Sequence, residues 1–175
     1  MIYGDNTDVV GFRKIFNLVK IKKTKTVLLI GAGGASRAIL YFLNKKNIEN
    51  IDIFATSFRK RHGLSKNFNF KNFTNRTTLL KKRYDLIINA SNAGMIHGNK
   101  MNRNILRLVK KSKGVIDIVY NPHETDLLKE AKKHNIKSLG GLIMLVEQAK
   151  PSFEIWSKKN IEIDDKIYQS LISKI

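Results

Sequence analysis

Two short runs of this sequence carry residue types suited to binding phosphate. In the first, Gly31-Ala32-Gly33-Gly34-Ala35 follows the apolar or β-branched stretch Thr26-Val27-Leu28-Leu29-Ile30, and positions 35, 38, 39, 42 and 43 then repeat at helical spacing. Strand, tight turn and helix in that order set bare backbone N–H groups and the positive end of a helix dipole beside an incoming anion. Gly31 lets the chain turn sharply, while Gly33 and Gly34 leave no side chain between the amides and a ligand. The pattern suits the pyrophosphate of a dinucleotide, with Ser36 standing where the usual fingerprint has its third glycine.

The second run begins about 20 residues further on, where such folds recognise the ribose. Ile51-Asp52-Ile53-Phe54 reads as a strand, and Ala55-Thr56-Ser57-Phe58-Arg59-Lys60-Arg61 follows it. A carboxylate there would accept hydrogen bonds from a free 2′-hydroxyl. Hydroxyls followed by cations suit a 2′-phosphate, which favours NADP over NAD. A third polar run, Tyr3-Gly4-Asp5-Asn6-Thr7-Asp8, precedes the helical spacing of Val9, Phe12, Ile15, Phe16 and Val19. On spacing alone its Thr or Asp, Asp8 included, is a helix cap. No metal site is expected, because there is no cysteine and His62, His97, His123 and His134 lack ligand spacing.

These runs need elements to hold them. After the basic linker Lys20 to Lys25 and the two strands already named, Phe68, Phe70 and Phe73 alternate as in a short strand, and a brief helical turn follows. Tyr84 to Asn89 is a strand, with Ala90-Ser91-Asn92-Ala93-Gly94-Met95 as its turn. Gly114 to Val119 is another, leading through Tyr120-Asn121-Pro122 to a helix from Asp126 to His134 that Thr125 can cap. Lys137 to Leu139 is a short last strand. Gly140-Gly141 then releases a helix with Leu142, Leu145, Val146, Ala149, Phe153 and Trp156 on one face, which Pro151 should kink or split. Ile167, Tyr168, Leu171, Ile172 and Ile175 mark an amphipathic terminal helix. Alternating strands and helices imply an α/β fold, a Rossmann-like doubly wound, mostly parallel sheet with helices on both faces and ligands at its carboxyl edge.

The chain's 175 residues suit one domain of ordinary size. With 33 Lys and Arg against 14 Asp and Glu, its formal charge is +19. The basic residues lie in short pairs such as Lys22-Lys23, Lys45-Lys46 and Lys132-Lys133, the pattern of a solvated surface rather than a nucleic-acid footprint. No apolar run approaches membrane-spanning length and no leader opens the sequence, so no membrane partner and a cytoplasmic location are expected. Asn75-Arg76-Thr77 fits a glycosylation pattern that carries no weight in that setting.

Taken in order, the motifs resemble those of the shikimate dehydrogenases, which reduce 3-dehydroshikimate with NADPH in aromatic amino-acid biosynthesis. The resemblance rests on Asp5-Asn6-Thr7-Asp8 with Gly11, on Gly31 to Ala35 with Arg37-Ala38, and on Asp85 to Ser91 with Gly94-Met95. It continues through Asp117 with Tyr120, then Gly141 with Met144-Leu145-Val146 and Gln148-Ala149, and on to Phe153 and Trp156. It implies that Asp8 holds substrate hydroxyls and pairs with a catalytic lysine, in place of the capping role. It also implies that Tyr120 and Gln148 contact shikimate or 3-dehydroshikimate, and that Ile118 and Gly141 line the nicotinamide. Residues 1–25 become an interdomain helix and linker, and 26–175 the NADP-binding domain.

Departures from the family pattern shape further expectations. Ala55-Thr56-Ser57 stands where the family commonly has Asn-Arg-Thr, so Arg59 or Lys60 must replace the missing arginine and the NADP(H) preference should weaken. Asn75-Arg76-Thr77 spells that motif about 20 residues too late to serve. Val9 replaces a glycine often found after the aspartate. The family also places a substrate domain before the segment matched here, with serines for the substrate carboxylate and a lysine for the proton. The expectation is therefore a fragment or split polypeptide, inactive without a separate substrate domain or homodimer partner. The alternative is a non-catalytic NADP(H)-binding remnant or regulatory module.

Overall fold

Short apolar strands buried on both sides form the centre of the protein, whose computed structural model describes residues 4–174, side chains of Phe58, Arg61, Arg76 and Thr77 excepted. Tyr3 and Ile175, and the side chains of Arg61, Arg76 and Thr77 considered above, lie outside the described residues. The strands are β1 (Val27–Ile30), β2 (Ile51–Phe54), β3 (Asn72–Phe73), β4 (Leu86–Asn89), β5 (Gly114–Asp117) and β6 (Lys137–Gly140). They form one sheet in the order β3-β2-β1-β4-β5-β6, with every neighbouring pair parallel. Strand order reverses between β1 and β4, the place where open α/β sheets bind ligands.

The helices are α1 (Asp8–Leu18), α2 (Gly34–Lys45), α3 (Phe58–Ser65), α4 (Arg76–Leu79), α5 (Arg103–Val109), α6 (Asp126–Lys133), α7 (Leu142–Ser157) and α8 (Asp165–Ile172). Val27 and Leu29 face a core with Phe12 and Ile15 of α1, Ile39 and Leu43 of α2, and Met144 of α7. Leu28 and Ile30 face the opposite core with Leu79, Ile105, Leu108, Leu127 and Ala131 of α4, α5 and α6. Phe12 and Ile15 are wholly buried. At about 2 kcal/mol for each such side chain, their burial anchors α1 to the sheet. Among the described residues no helix is long and apolar enough to cross a membrane.

Three sequence expectations need correction. Pro151 does not split α7, which runs unbroken for 16 residues. Locally, the Ser152 hydroxyl donates back to the Gln148 carbonyl at 3.1 Å, and its oxygen lies 3.0 Å from the Thr7 hydroxyl at the start of α1. The expected apolar face of α7 is also divided. Leu142 and Val146 are buried and Leu145 half-buried, whereas Ala149, Phe153 and Trp156 are exposed, the last two because beyond Ser152 the helix has run past the end of α1. Finally, α5 had no counterpart in the sequence reading. Asn102 caps it by accepting the Asn104 N–H at 2.9 Å, and Ile105, Leu108 and Val109 are its buried face.

One carboxylate fixes the amino edge of the sheet. Asp85 Oδ2 accepts the N–H groups of Lys25 at 2.8 Å and Thr26 at 3.0 Å, while its Oδ1 lies 2.6 Å from Lys113 Nζ. Burial pushes the Asp85 carboxyl upward, but Lys113 and the two amides outweigh it and hold the group down at about 2. A carboxyl lowered in the native state adds stability that is present above its unfolded value near 3.8 and lost as pH falls toward 2. Asp85→Asn should cost about 2 kcal/mol in denaturant melts at pH 7, and that deficit should shrink between pH 4 and pH 2.

Candidate functional site

At the carboxyl edge, β1 ends in a turn forced by its neighbours. Gly31 has φ +108°, and a Cβ there would lie 2.4 Å from the Ala90 carbonyl oxygen after β4. Its N–H donates to the Phe54 carbonyl of β2 at 2.9 Å. Only glycine meets both demands. Two residues on, the situation reverses, for a Cβ on Gly33 or Gly34 would meet nothing within 4 Å. Gly33 is the extended N-cap of α2 and provides no side-chain cap. The first amides of a 12-residue helix therefore face open space.

That space is a cleft of about 750 Å³ lying across the strand reversal. Its walls include Gly31, Ala32 and Gly33 from the first turn, Ala55, Thr56, Ser57 and Lys60 after β2, and Ser91 and Asn92 after β4. Gly34 and Ala35 form the first turn of α2 just beyond it. Arg59 is exposed and not part of the wall, so Lys60 is the described cation that the β2 side directs into the cleft. Ser57 Oγ caps α3 by accepting the Lys60 N–H at 3.4 Å, which fixes the loop carrying both residues. An open glycine cradle, unpartnered helix amides and a lysine fit a dinucleotide phosphate. Among the described residues no cluster of three or more His, Asp and Glu is placed to hold a metal.

A buried network holds the β4 and β5 ends in register. Asn89 and Asp117 are opposite each other, and Asn89 Nδ2 donates to Asp117 Oδ1 at 2.8 Å. Asp117 also accepts the Val119 N–H at 3.1 Å and the Thr125 hydroxyl at 2.7 Å. Asn89 Oδ1 in turn accepts the Ser91 hydroxyl at 2.7 Å, tying down the loop that walls the cleft. Burial pushes the Asp117 carboxyl up to about 6 against these donors.

The second half of the site is built by close backbone approach. A Cβ on Gly141 would lie 2.0 Å from the Ile118 oxygen, so the residue that follows β5 and the N-cap of α7 touch through main chain. A Cβ on Gly11 would lie 2.5 Å from the Met144 oxygen and 3.1 Å from Gln148 Cβ, so α1 crosses α7 in contact. Asp8 is one turn before Gly11 and shares its face, which brings Asp8 to the Gln148 end of α7. Thr7, not Asp8, is the N-cap, and it makes no side-chain cap bond. Asp8 and Gln148 are partly exposed and Tyr120 is 40% exposed. Among the described residues none of their side chains has a hydrogen-bond partner, so all are available to a polar ligand.

Known proteins resemble this chain along most of its length. A family model described as shikimate / quinate 5-dehydrogenase matches residues 13–140. The chain belongs to that family. A shikimate dehydrogenase (NADP(+)) of Methanococcus maripaludis is 38% identical over 98% of this chain and 64% of its own length. A chorismate mutase/shikimate 5-dehydrogenase fusion protein from Clostridium acetobutylicum superposes with TM-score 0.79 at 32% identity, over 97% of this chain and 61% of that one. A shikimate dehydrogenase solved in complex with NADP+ gives TM-score 0.75 at 31% identity, over 98% of this chain and 62% of that one. The chain thus spans less than two thirds of the length of these relatives.

Family membership leaves Asn89, Ser91 and Asp117 as residues whose part in shaping the cleft the sequence reading did not assign. Their signal was a polar residue ending each of two apolar strands. Gly33→Ala should cost under about 1 kcal/mol of stability, since an N-cap glycine is exchanged in open space, yet weaken dinucleotide binding about tenfold. Gly31→Ala should instead lose more than about 2 kcal/mol by denaturant titration. Asp117 is raised in the native state, so its contribution is full below the unfolded value near 3.8 and lost as pH rises through about 6. Relative to Asp117→Asn, the parent protein should gain on the order of 2 kcal/mol in melts taken from pH 7 down to pH 4.

Proposed function

We propose that these residues form the NADP(H)-binding part of a shikimate dehydrogenase, acting in the reversible NADPH-dependent reduction of 3-dehydroshikimate to shikimate. One observation carries the reading. A phosphate cradle of unobstructed glycines shares its sheet edge with the α1–α7 crossing, where Gly11, one helical turn from Asp8, packs against Gln148. When bound, NADPH supplies the hydride for the substrate carbonyl.

Each group of residues has a defined task in this reading. The α2 amides at Gly33 to Ala35 hold the diphosphate, and Thr56, Ser57 and Lys60 hold the adenosine ribose and its phosphate. Ile118 and Gly141, locked together through main chain, form a flat backbone wall for the nicotinamide. The Asp8 carboxylate, Gln148 amide and Tyr120 hydroxyl orient the hydroxyls of the ring. Residues 1–25 link this domain, 26–175, to a substrate domain that supplies the carboxylate contacts and the proton-handling lysine. That domain acts either in the same polypeptide or as a separate one. Without a general acid, turnover should fall about 10²- to 10⁴-fold before lost substrate binding is counted.

The purified chain of 175 residues should bind NADPH in the micromolar to millimolar range and oxidise shikimate negligibly. Addition of a separately made shikimate-dehydrogenase substrate domain should restore turnover, and Asp8→Ala should abolish it. Robust turnover by the chain alone would contradict the two-part reading. Binding of NADPH with no rescue would favour a non-catalytic nucleotide-binding module.

A further inference from the structure

The cleft at the strand reversal is lined by two cations and by no anion. Lys60 and Lys100 both form part of its wall, and no Asp or Glu does. Both lysines are exposed. Among the described residues neither takes part in an ion pair, whereas Lys14, Lys82, Lys113, Lys132 and Lys150 each face a carboxylate. The unpaired cations of this wall therefore come from opposite sides of β1, one after β2 and the other after β4.

Lys100 is held in place by its neighbours rather than carried on a loose loop. The Asn99 carbonyl accepts the Gly94 N–H at 2.8 Å, and Met101 is 5% exposed within the core of α5 and α6. A Cβ on Gly98 would lie 1.9 Å from the Asn92 carbonyl oxygen, so the loop is closed against itself. The turn between these two lysines already offers the α2 amides to a diphosphate. Thr56, at the end of β2 where the ribose 2′ position is recognised, has no charge to offer.

We infer that Lys100, together with Lys60, forms a two-lysine clamp for the 2′-phosphate of the bound dinucleotide. The inference rests on the NADP(H) reading above and adds the second cation, contributed by the β4–α5 loop. A phosphate monoester near neutral pH carries close to two negative charges and several strong acceptor oxygens, so two ammonium groups from facing walls can each take one. A lysine is a point charge without the paired donors of arginine, and two of them give the recognition that one arginine would give alone.

Calorimetric titration of the whole chain with NADPH, NADH, adenosine 2′,5′-bisphosphate and 5′-AMP tests this directly. Lys100→Gln should weaken NADPH and adenosine 2′,5′-bisphosphate about tenfold, the loss of one charge-assisted hydrogen bond, and leave NADH and 5′-AMP within about twofold. The double variant with Lys60→Gln should no longer distinguish NADPH from NADH. Equal weakening of NADPH and NADH would overturn the clamp by placing Lys100 on the shared diphosphate, and unchanged NADPH affinity would overturn it outright. Failure of the parent chain to bind either dinucleotide would remove the NADP(H) reading and the clamp with it. Thermal melts of each variant, expected to match the parent because both side chains are exposed, separate lost binding from lost folding.

Discussion

The site depends on one steric constraint, the contact of the Gly31 backbone with Ala90 at the place where the sheet reverses its strand order. The N–H of Gly31 is committed to β2 through Phe54, and its Cα faces the carbonyl oxygen after β4 with no room for a side chain. Drawn in from both sides, the turn has one direction left. It leads α2 away with its first amides facing the cleft. The anion cradle follows from how three parallel strands end, and needs no charged side chain at its centre.

The same device recurs where α1 and β5 meet α7. Gly11 and Gly141 each bring backbone against a carbonyl oxygen of another element, at Met144 and at Ile118. Gly33 and Gly34 differ in kind, because they border open space. Glycines of the first sort fix the scaffold, and those of the second leave room for a guest. Between them the Asn89–Asp117 network ties together the β4 and β5 ends and places polar groups beside the cleft without exposing a carboxylate to it. Among the described residues that line the cleft, the charged side chains are lysines alone.

Much of this was legible in the sequence because parallel strands covered on both faces read as continuous apolar runs. Thr26 to Ile30 and Tyr84 to Asn89 could be located that way, and Ile51 to Phe54 despite its Asp52, while the glycine loop marked the turn between the first of them and α2. What stayed hidden depends on tertiary contact. Spacing alone made Asp8 a cap, since nothing local shows that Gly11 brings α7 across α1 and that Thr7 is the N-cap. The face assigned to α7 joined Phe153 and Trp156 to the core because helical periodicity carries no information about where a partner helix ends. The short helix α5 was lost among polar residues that gave its cap, Asn102, no contrast. Lys100 could not be singled out in a chain of net charge +19, where only the fold shows which lysines lack a carboxylate and line the cleft.

Backbone amide resonances of ¹⁵N-labelled protein titrated with NADPH report most directly on whether that cradle is used. The largest shifts should fall on Gly33, Gly34, Ala35 and Ser36, with a second group at Ser91 and Asn92 across the strand reversal, all saturating together. Saturable binding that leaves the amides of Gly33 to Ser36 unmoved would contradict the account, because the coenzyme would then be held somewhere other than the turn that Gly31 directs.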